Sequence, residues 1–509
     1  MAQQQQNITI AAPGFNGVNT MLSPLSLGPD WAKTAENCVI DSYGRVGARK
    51  GWDLVPTTDA TELGSAAAHA VYVFTNDDGD VTYFTCGNNK IMTGTTTLVD
   101  VTPVTSTITA DDWQIVELNN NVYFIQAGHD THVWNGATDT LTTIADHASA
   151  SGTPPTQPAC GVAGFGKLWL AVGSTLYWSD TLLGMVWTGG STGSIDLETV
   201  WTNGHDTITA VSVHNGFLII FGTQNVLIYG GAEVPSTMAL SDTIRNIGCV
   251  ARDSVRSIGT DLLFLDANGV RSLGRVIQEK SSPIGDISAN VTNDVIQAVR
   301  LETGNIVASY SGSNGFYLLS FPTSGQTFCF DFRNGRLPDG SARTTVWLGK
   351  SLYGMYDDDV YLYLGTDDGM SIYGGTGVND VYLDNGATYR MKYYSHPQSF
   401  GSSATLKFPK QLDYQLIGGA GLSISLAWGF GYTNSYEYKT FTLGASSVYE
   451  YGTAEYGEAE YVVSAAVGTP WVNTWGSGKV VTVGLEATIN GQALSVQEIN
   501  MQTLIGRIV

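Results

Sequence analysis

The stretch Phe217-Leu-Ile-Ile-Phe-Gly222, followed after a short turn by Val226-Leu-Ile-Tyr229, decides the fold class of this chain. Five consecutive apolar residues leave no polar side for solvent, so the first run predicts a strand that is buried on both faces. The second run follows the turn residues Thr223-Gln-Asn225 and is again apolar. Together the two runs predict a β-hairpin inside a layered structure of strands.

The same hairpin phrase recurs along most of the chain. Its other copies begin at Val81, Val122, Leu168, Leu262, Phe316 and Val360. Counting Phe217, successive copies start 41 to 54 residues apart. A period of this length that is built only from strand phrases is typical of a β-propeller, in which each copy forms one radial blade. The sequence therefore predicts an all-β fold with a six- or seven-bladed β-propeller over residues 59–376.

Regions of different character flank the repeats. Residues 1–58 form an amino-terminal platform segment, in which Ala32–Cys38 is compatible with one or two helical turns and Asp41–Gly44 predicts a turn between two short strands. Residues 377–509 contain long segments, such as Tyr389–Tyr394, with side chains of alternating character. This alternation predicts a β-sandwich or platform domain. Because a propeller brings its chain ends together, we expect the two flanks to pack on each other.

The charge of the chain excludes one class of function. It has 46 acidic and 24 basic side chains, which gives a formal charge of −22 at pH 7. A general nucleic-acid binder neutralises phosphates with lysine and arginine, and this chain has the opposite balance. Acidity also keeps a glycine-rich β protein soluble, and 60 of the 509 residues are glycine. The five cysteines show no metal-type spacing, and we expect them to be buried free thiols.

Residues that could carry chemistry are few. His129 and His132 have a spacing that metal ligands use, but they lie at a predicted hairpin turn without a third ligand nearby in sequence. The acidic clusters at 76–80, 357–359 and 366–369 are interpreted as Asp-Gly turns rather than calcium loops. Motifs of serine hydrolases, phosphate-binding loops and zinc proteases do not occur. We therefore predict a protein that is not an enzyme and has no cofactor or bound metal.

The sequence also bears on where the protein is made. It has no run of 18 apolar residues. The start Met1-Ala-Gln-Gln lacks the basic and apolar parts of a secretory signal. These features predict assembly in a cytosol and no membrane-spanning segment.

Short motifs at both ends carry a resemblance to a known family. The opening contains Leu22-Ser-Pro-Leu25, Ala35-Glu-Asn37, Asp41-Ser-Tyr-Gly44-Arg45 and Ala48-Arg-Lys-Gly-Trp52, and the ending contains Ile489-Asn-Gly-Gln-Ala-Leu-Ser-Val-Gln-Glu-Ile-Asn500. These motifs resemble the ends of tail nozzle (tail tubular protein B-like) proteins of short-tailed bacteriophages, whose amino-terminal segment precedes a large β-propeller. The chain is shorter than the best-known members and lacks their Gly-Gly-Ile-Ser opening.

The resemblance implies a virion structural protein. Such a nozzle is a homo-hexameric ring that meets the portal adaptor (head-to-tail connector) protein and docks tail fibre or spike proteins. Genomic DNA passes through it without specific binding, and an acidic lumen suits a conduit because it does not hold phosphates. The implied location is the virion tail, assembled in the bacterial host cytoplasm. The alternative is a propeller-based glycan-binding or glycan-cleaving tail protein, because aromatic-rich repeats do not separate these functions.

Two sets of residues are candidate sites. The first set carries the resemblance and is expected to form a subunit contact or a structural motif: Asn37, Gly44, Arg49, Gly51 and Trp52. The second set lies in an acidic, tyrosine-rich segment and consists of Glu450, Glu455, Glu458 and Glu460. These are candidate lumen or gate acids. The alternative for this segment is a solvated hairpin edge whose charge prevents strand pairing with other molecules.

Overall fold

The structure is a computed structural model that describes residues 4–10, 14–55, 59–201, 204–279, 286–444 and 467–508. Within these ranges the regular structure is almost entirely β-strand, so the predicted all-β class is confirmed. The strands form a β-propeller of seven blades and a β-sandwich, which we call the platform.

The chain begins with strands that contribute to both bodies. They are β1 (Gln4–Ile10), β2 (Gly17–Val18), β3 (Trp31–Glu36), β4 (Cys38–Ile40), β5 (Val46–Ala48) and β6 (Trp52–Leu54). The turn predicted at Asp41–Gly44 is confirmed, because it joins β4 to β5 and Gly44 donates its backbone N–H to the Asp41 carbonyl at 2.9 Å. The helical turns considered for Ala32–Cys38 are wrong. Strand β3 pairs with β2 on one edge and with a carboxyl-terminal strand on the other, which satisfies its backbone as sheet.

The first four blades are antiparallel sheets of four consecutive strands each. The first blade contains β7 (Ala70–Thr75), β8 (Val81–Gly87), β9 (Lys90–Thr93) and β10 (Val99–Asp100), and the second contains β11 (Gln114–Leu118), β12 (Asn121–Ile125), β13 (His132–Asn135) and β14 (Thr140–Thr143). The third blade contains β15 (Cys160–Gly164), β16 (Lys167–Val172), β17 (Thr175–Trp178) and β18 (Gly193–Asp196), and the fourth contains β19 (Ile208–His214), β20 (Phe217–Gly222), β21 (Asn225–Gly230) and β22 (Ala239–Arg245). Two-residue turns join the first two strands of the second blade, at Asn119-Asn120, and the first two strands of the fourth blade, at Asn215-Gly216. All four turn residues have positive φ, as the type I′ hairpin turn requires.

The fifth blade differs because helices stand where an outer strand would be. It contains β23 (Arg256–Ser257), β24 (Leu262–Asp266) and β25 (Gly269–Ser272), followed by α1 (Leu273–Glu279) and α2 (Thr292–Leu301). Val295 and Ala298 lie about one helical turn apart on α2 and are buried in the same core as Leu263 and Leu265 of β24. The sequence analysis did not predict these helices, because it followed strand phrases alone.

The last two blades connect the propeller to the rest of the chain. The sixth contains β26 (Val307–Ser311), β27 (Phe316–Phe321), β28 (Gln326–Asp331) and β29 (Arg343–Leu348), and the seventh contains β30 (Gly354–Asp357), β31 (Leu362–Thr366) and β32 (Gly369–Tyr373). The fourth strand of the seventh blade is β6, in which Trp52 pairs with Tyr373. The last blade therefore combines strands from the two ends of the propeller sequence.

The innermost segments of all seven blades line one axial cavity of about 220 Å³. Its apolar wall is formed by Val71, Ile115, Val162, Val211, Val255, Val307 and Met355. Because residues of every blade meet around this cavity, the blades form a closed ring about one axis.

The platform is a sandwich of two sheets. Its remaining strands are β33 (Tyr389–Ser395), β34 (Thr405–Gly418), β35 (Ser423–Phe430), β36 (Glu437–Thr442), β37 (Val467–Gly468), β38 (Trp471–Asn473), β39 (Val481–Ile489) and β40 (Leu494–Ile508). One sheet has the order β2-β3-β33-β39-β35-β36 and continues directly from β29 of the sixth blade. The other has the order β37-β34-β40-β5-β4, with β1 and β38 added. Pairing of β5 with β40 confirms that the two flanks of the sequence pack together.

Candidate functional site

Arg49 occupies the point where the chain passes from platform strand β5 to propeller strand β6. Its side chain is 1% exposed, and it forms a bidentate pair with Asp384, from Nη1 to Oδ1 at 2.8 Å and from Nη2 to Oδ2 at 2.7 Å. Its Nε donates to Oδ1 of Asn37 at 3.1 Å, and Nη1 also donates to the Lys50 carbonyl at 3.0 Å. A planar guanidinium matches a carboxylate in this way, whereas a lysine ammonium does not.

Aromatic rings surround the same guanidinium. Its central carbon lies 4.1 Å from the ring centroid of Tyr389, 4.5 Å from that of Trp52 and 5.6 Å from that of Trp347. Burial lowers the pKa of Arg49, but the hydrogen bonds and charge of Asp384 more than offset this effect and hold its pKa above the ordinary value. Arg49 therefore stays protonated, and its enclosed positive charge is paired with the carboxylate of Asp384.

Asn37 links the two bodies through its side-chain amide. The residue has a φ of 54° and stands between β3 and β4. Its Nδ2 donates to the carbonyls of Leu348 at 3.3 Å and Arg390 at 2.9 Å, and its Oδ1 accepts the backbone N–H of Leu348 at 3.1 Å. Leu348 ends β29 of the propeller and Arg390 belongs to β33 of the platform. One amide thus satisfies backbone groups on both sides of the junction.

The other residues of the first candidate set have separate roles. Gly44 has a φ of 75° in the β4–β5 turn, a conformation that favours glycine. A Cβ on Gly51 would collide with the backbone of Leu383, so only glycine lets these two segments approach. Trp52 is 2% exposed and belongs to the core shared by the sixth and seventh blades.

The structure brings four of these five residues together at one junction, Asn37, Arg49, Gly51 and Trp52, and leaves Gly44 at the outer turn. Asp384, Tyr389 and Trp347 complete the site, and the sequence analysis missed them. Asp384 lies 335 residues from its arginine, and no local pattern marks it. The second candidate set, Glu450, Glu455, Glu458 and Glu460, lies outside the residues that the structure describes.

A second arginine, whose side chain is 13% exposed, lines the axial cavity. Arg252, just before β23, donates from Nη2 to the Asp112 carbonyl at 2.7 Å and from Nη1 to the Ala159 carbonyl at 3.2 Å. These carbonyls precede the inner strands of the second and third blades, so the side chain crosses the axis. Its charge is paired with Asp253 at 2.8 Å. The axial cavity of about 220 Å³ is far too small for a nucleic-acid duplex.

A polar pocket adjoins the axial cavity, and His69 lines both. Nδ1 of His69 lies 3.1 Å from Oδ1 of Asp112, and the imidazole packs against the ring of Tyr353 with centroids 5.0 Å apart. The hydrogen bond with Asp112 raises the pKa of His69, although burial opposes it. Both side chains are about one third exposed. The pair therefore joins the first and second blades with a pH-dependent contact.

The residues weighed for metal binding have other partners. His129 accepts the backbone N–H of Thr109 at 3.0 Å through Nε2, and Nε2 of His132 lies 2.8 Å from the Ser106 hydroxyl. In the acidic turns, Asn76 and Asp358 accept backbone N–H groups of their own loops, as turn residues do. The described part of the chain contains no group of three or more side chains placed to hold a metal ion. The five cysteines are buried and free, as predicted.

Comparisons with known proteins give no family assignment. No family model matches the sequence, and no curated protein matches it. Solved structures similar to part of the chain include YCF48 from Cyanidioschyzon merolae, with 12% identity and a TM-score of 0.37 over 64% of this chain and 98% of that one. The Neurospora crassa Pan2 WD40 domain has 11% identity and a TM-score of 0.37 over 66% and 96% of the two chains. A computationally designed protein, Ika8, has 10% identity and a TM-score of 0.36 over 64% and 99%.

Similarity at this level carries no information about function.

Within the ranges that the structure describes, the helices are too short or too polar to cross a membrane.

Proposed function

We propose that this chain is a virion structural protein, the tail nozzle of a short-tailed bacteriophage, and that it acts by geometry and electrostatics. The observation that carries the proposal is the buried junction around Arg49. Asn37, Arg49, Gly51 and Trp52 belong to the motifs that resemble the nozzle family, and the same residues fix the platform to the propeller. The resemblance thus coincides with an architectural feature rather than with scattered surface residues.

A rigid connection between the two bodies is what a ring subunit needs. Domains joined by small polar interfaces move relative to each other by default. Here a sheet runs without a break from β26 of the sixth blade to β36 of the platform, and the enclosed ion pair lies beside it. A closed ring forms only if each copy is rotated by the same angle relative to the last. A fixed angle between platform and propeller supports such closure.

The charge and the axial cavity define where DNA would run. Arg252 reaches across the propeller axis and the axial cavity measures only about 220 Å³, so a conduit has to lie between copies around the ring. With a net charge of −22, the surface of each copy repels phosphates on average. In this proposal the nozzle meets the portal adaptor and the fibre or spike proteins in the virion tail. It is assembled in the host cytoplasm, and the genome passes without being bound.

Electron microscopy of the purified protein tests the proposal, with light scattering to give the mass. We expect hexameric rings with a central hole, formed by the protein alone or on a portal–adaptor assembly. Fluorescence anisotropy with a labelled duplex at low salt should show no binding. A protein that stays monomeric both alone and with the adaptor would contradict the proposal. Release of sugars from host polysaccharide, or retention on it, would instead support the glycan-directed alternative.

A further inference from the structure

The platform has one end that points away from the junction, and we call it the distal end. It consists of loops 19–29, 396–404, 431–436 and 474–479. The register of the sheet brings these loops together, because Ala32 pairs with Ser395, Tyr394 with Gly484, and Phe430 with Val481. The junction lies at the opposite ends of the same strands.

The loops of the distal end hold one another in place. His396 donates from Nε2 to the Asn19 carbonyl at 2.9 Å, and the Gln398 backbone N–H donates to the Val481 carbonyl at 2.8 Å. Trp475 stands perpendicular to the buried Trp428, with ring centroids 4.7 Å apart. The distal end is therefore a preformed surface.

Large apolar side chains are exposed on this surface. Their exposed fractions are 41% for Met21, 56% for Leu22, 49% for Leu25, 60% for Tyr432 and 56% for Trp475. Between them a cavity of about 360 Å³ is lined by Pro24, Leu25, Leu27, Pro29, Pro397 and Phe400. Several large apolar groups on one rigid surface are typical of a protein–protein contact, whereas single exposed ones need no explanation.

Acidic side chains are few at the distal end. The stretches 19–29, 396–404, 431–436 and 474–479 contain no aspartate or glutamate, and two carboxylates directly follow them: Asp30, just before β3, and the exposed Glu437, the first residue of β36. Lys479 lies in one loop, and the exposed Lys410 lies beside it, because the Lys410 carbonyl accepts the Thr474 backbone N–H at 3.0 Å. The adjoining carboxylates of Asp30 and Asp294 accept hydrogen bonds from Asn16 and Thr20.

We propose that the distal end binds an acidic surface of a second copy of this chain. Copies that each carry a charge of −22 repel one another on average. Association is favoured where one of the two contacting surfaces has few carboxylates. The apolar side chains supply the affinity there, and the lysines supply complementarity to the acidic neighbour. The acidic partner surface lies elsewhere on the neighbouring copy, which makes the contact head-to-tail, and head-to-tail contacts generate rings or filaments. This inference rests on the proposed ring and names the surface that forms it.

Two double variants at exposed apolar positions test the contact. Leu25→Asp with Trp475→Asp places charge on the distal end, and Val104→Asp with Val378→Asp places it on sites elsewhere that are 102% and 93% exposed. Light scattering coupled to size exclusion gives the mass of each. We expect the wild type and the second variant to associate alike, and the distal variant to have a dissociation constant at least about tenfold higher. Circular dichroism checks that each variant is folded.

A charge variant keeps the test decisive if the first variant does not fold. Lys410→Glu with Lys479→Glu alters exposed side chains alone, and we expect weaker association, with a smaller difference from the wild type at about 500 mM salt than at about 50 mM. Folded distal and charge variants that both form the wild-type assembly would overturn this inference and leave the proposed nozzle intact. A wild type that associates through the distal end into dimers or open chains would support the inference and contradict the hexameric ring. A wild type that remains monomeric both alone and with the adaptor would overturn this inference.

Discussion

Arg49 and Arg252 use the same side chain in opposite ways. Arg49 pairs with a carboxylate 335 residues away and is surrounded by three aromatic rings, so it joins the platform to the propeller. Arg252 pairs with its neighbour Asp253 and donates to backbone carbonyls of two other blades, so it joins parts of one body. The cost of losing such a cation therefore depends on which partner it leaves behind.

Replacing Arg49 should have the largest effect on stability. Arg49→Ala leaves Asp384, which is 3% exposed, without its bidentate partner. We expect the free energy of unfolding to fall by about 3–5 kcal/mol, measured by urea titration. Arg49→Lys should recover only part of this loss, because an ammonium cannot form two parallel bonds to the carboxylate.

A neighbouring surface pair is the matched control for this prediction. Lys50 and Asp380 are 2.7 Å apart at the same junction, with 32% and 46% of their side chains exposed. Lys50→Ala should cost less than about 1 kcal/mol. Equal losses for Lys50→Ala and Arg49→Ala would mean that the enclosed pair does not hold the junction.

Replacing Arg252 should cost less than replacing Arg49. Arg252→Ala leaves Asp253 with a second partner, because Nδ2 of Asn305 donates to it at 2.8 Å. We expect a loss of about 2–3 kcal/mol. Faster hydrogen exchange should be confined to β11 and β15, whose preceding carbonyls Arg252 holds. Uniform exchange across all blades would contradict the view that this contact is local to the axis.

Asp331 extends the comparison to a buried carboxylate without a bidentate arginine. It is 3% exposed, and burial raises its pKa to about 6, with Arg333 opposing the shift. Between about pH 4 and pH 6 the unfolded chain loses this proton while the folded protein keeps it, so rising pH lowers stability over that range. Asp331→Asn should therefore raise the free energy of unfolding by up to about 3 kcal/mol at pH 7.5. The gain should vanish near pH 4. Urea titrations at both pH values measure the gain, and an equal gain at the two values would mean that burial of the carboxylate is not its cause.

The smallest effect should come from His69 and Asp112. Because the folded state raises the pKa of His69, this contact stabilises the fold fully below the ordinary pKa of histidine and is lost as pH rises through the folded value. Both side chains are about one third exposed, so we expect less than about 1 kcal/mol. Histidine titration by NMR should give a lower pKa in Asp112→Asn. An unchanged pKa would remove Asp112 as the cause.

The propeller could be predicted from the sequence because its signals are local. Each blade centres on a hairpin whose two apolar runs are adjacent in the chain, and turns such as Asn215-Gly216 mark its register. The strand assignment failed at Ala32–Cys38, where the antiparallel partner of β3, strand β33, lies about 360 residues away. The helices of the fifth blade were missed because Val295 and Ala298 follow a helical spacing that a search for strand phrases ignores.

Only the amino-terminal residues of the candidate site could be predicted from the sequence. Asn37, Arg49, Gly51 and Trp52 are close in sequence and were singled out together, but what they contact depends on the fold. A bidentate partner such as Asp384 carries no sequence signal of its own, because any of 46 acids could in principle occupy that position. The same holds for Arg252, whose partners across the axis are mainly backbone carbonyls, which every residue has.

The origin of β6 has a consequence during translation. This strand leaves the ribosome more than 300 residues before β32, the strand that it pairs with. At about 5–20 residues per second, it waits for tens of seconds with its edges unpaired. The nascent chain therefore has to keep Trp52 from premature contacts throughout this interval, and slowing synthesis after the first blades should lower the yield of native protein.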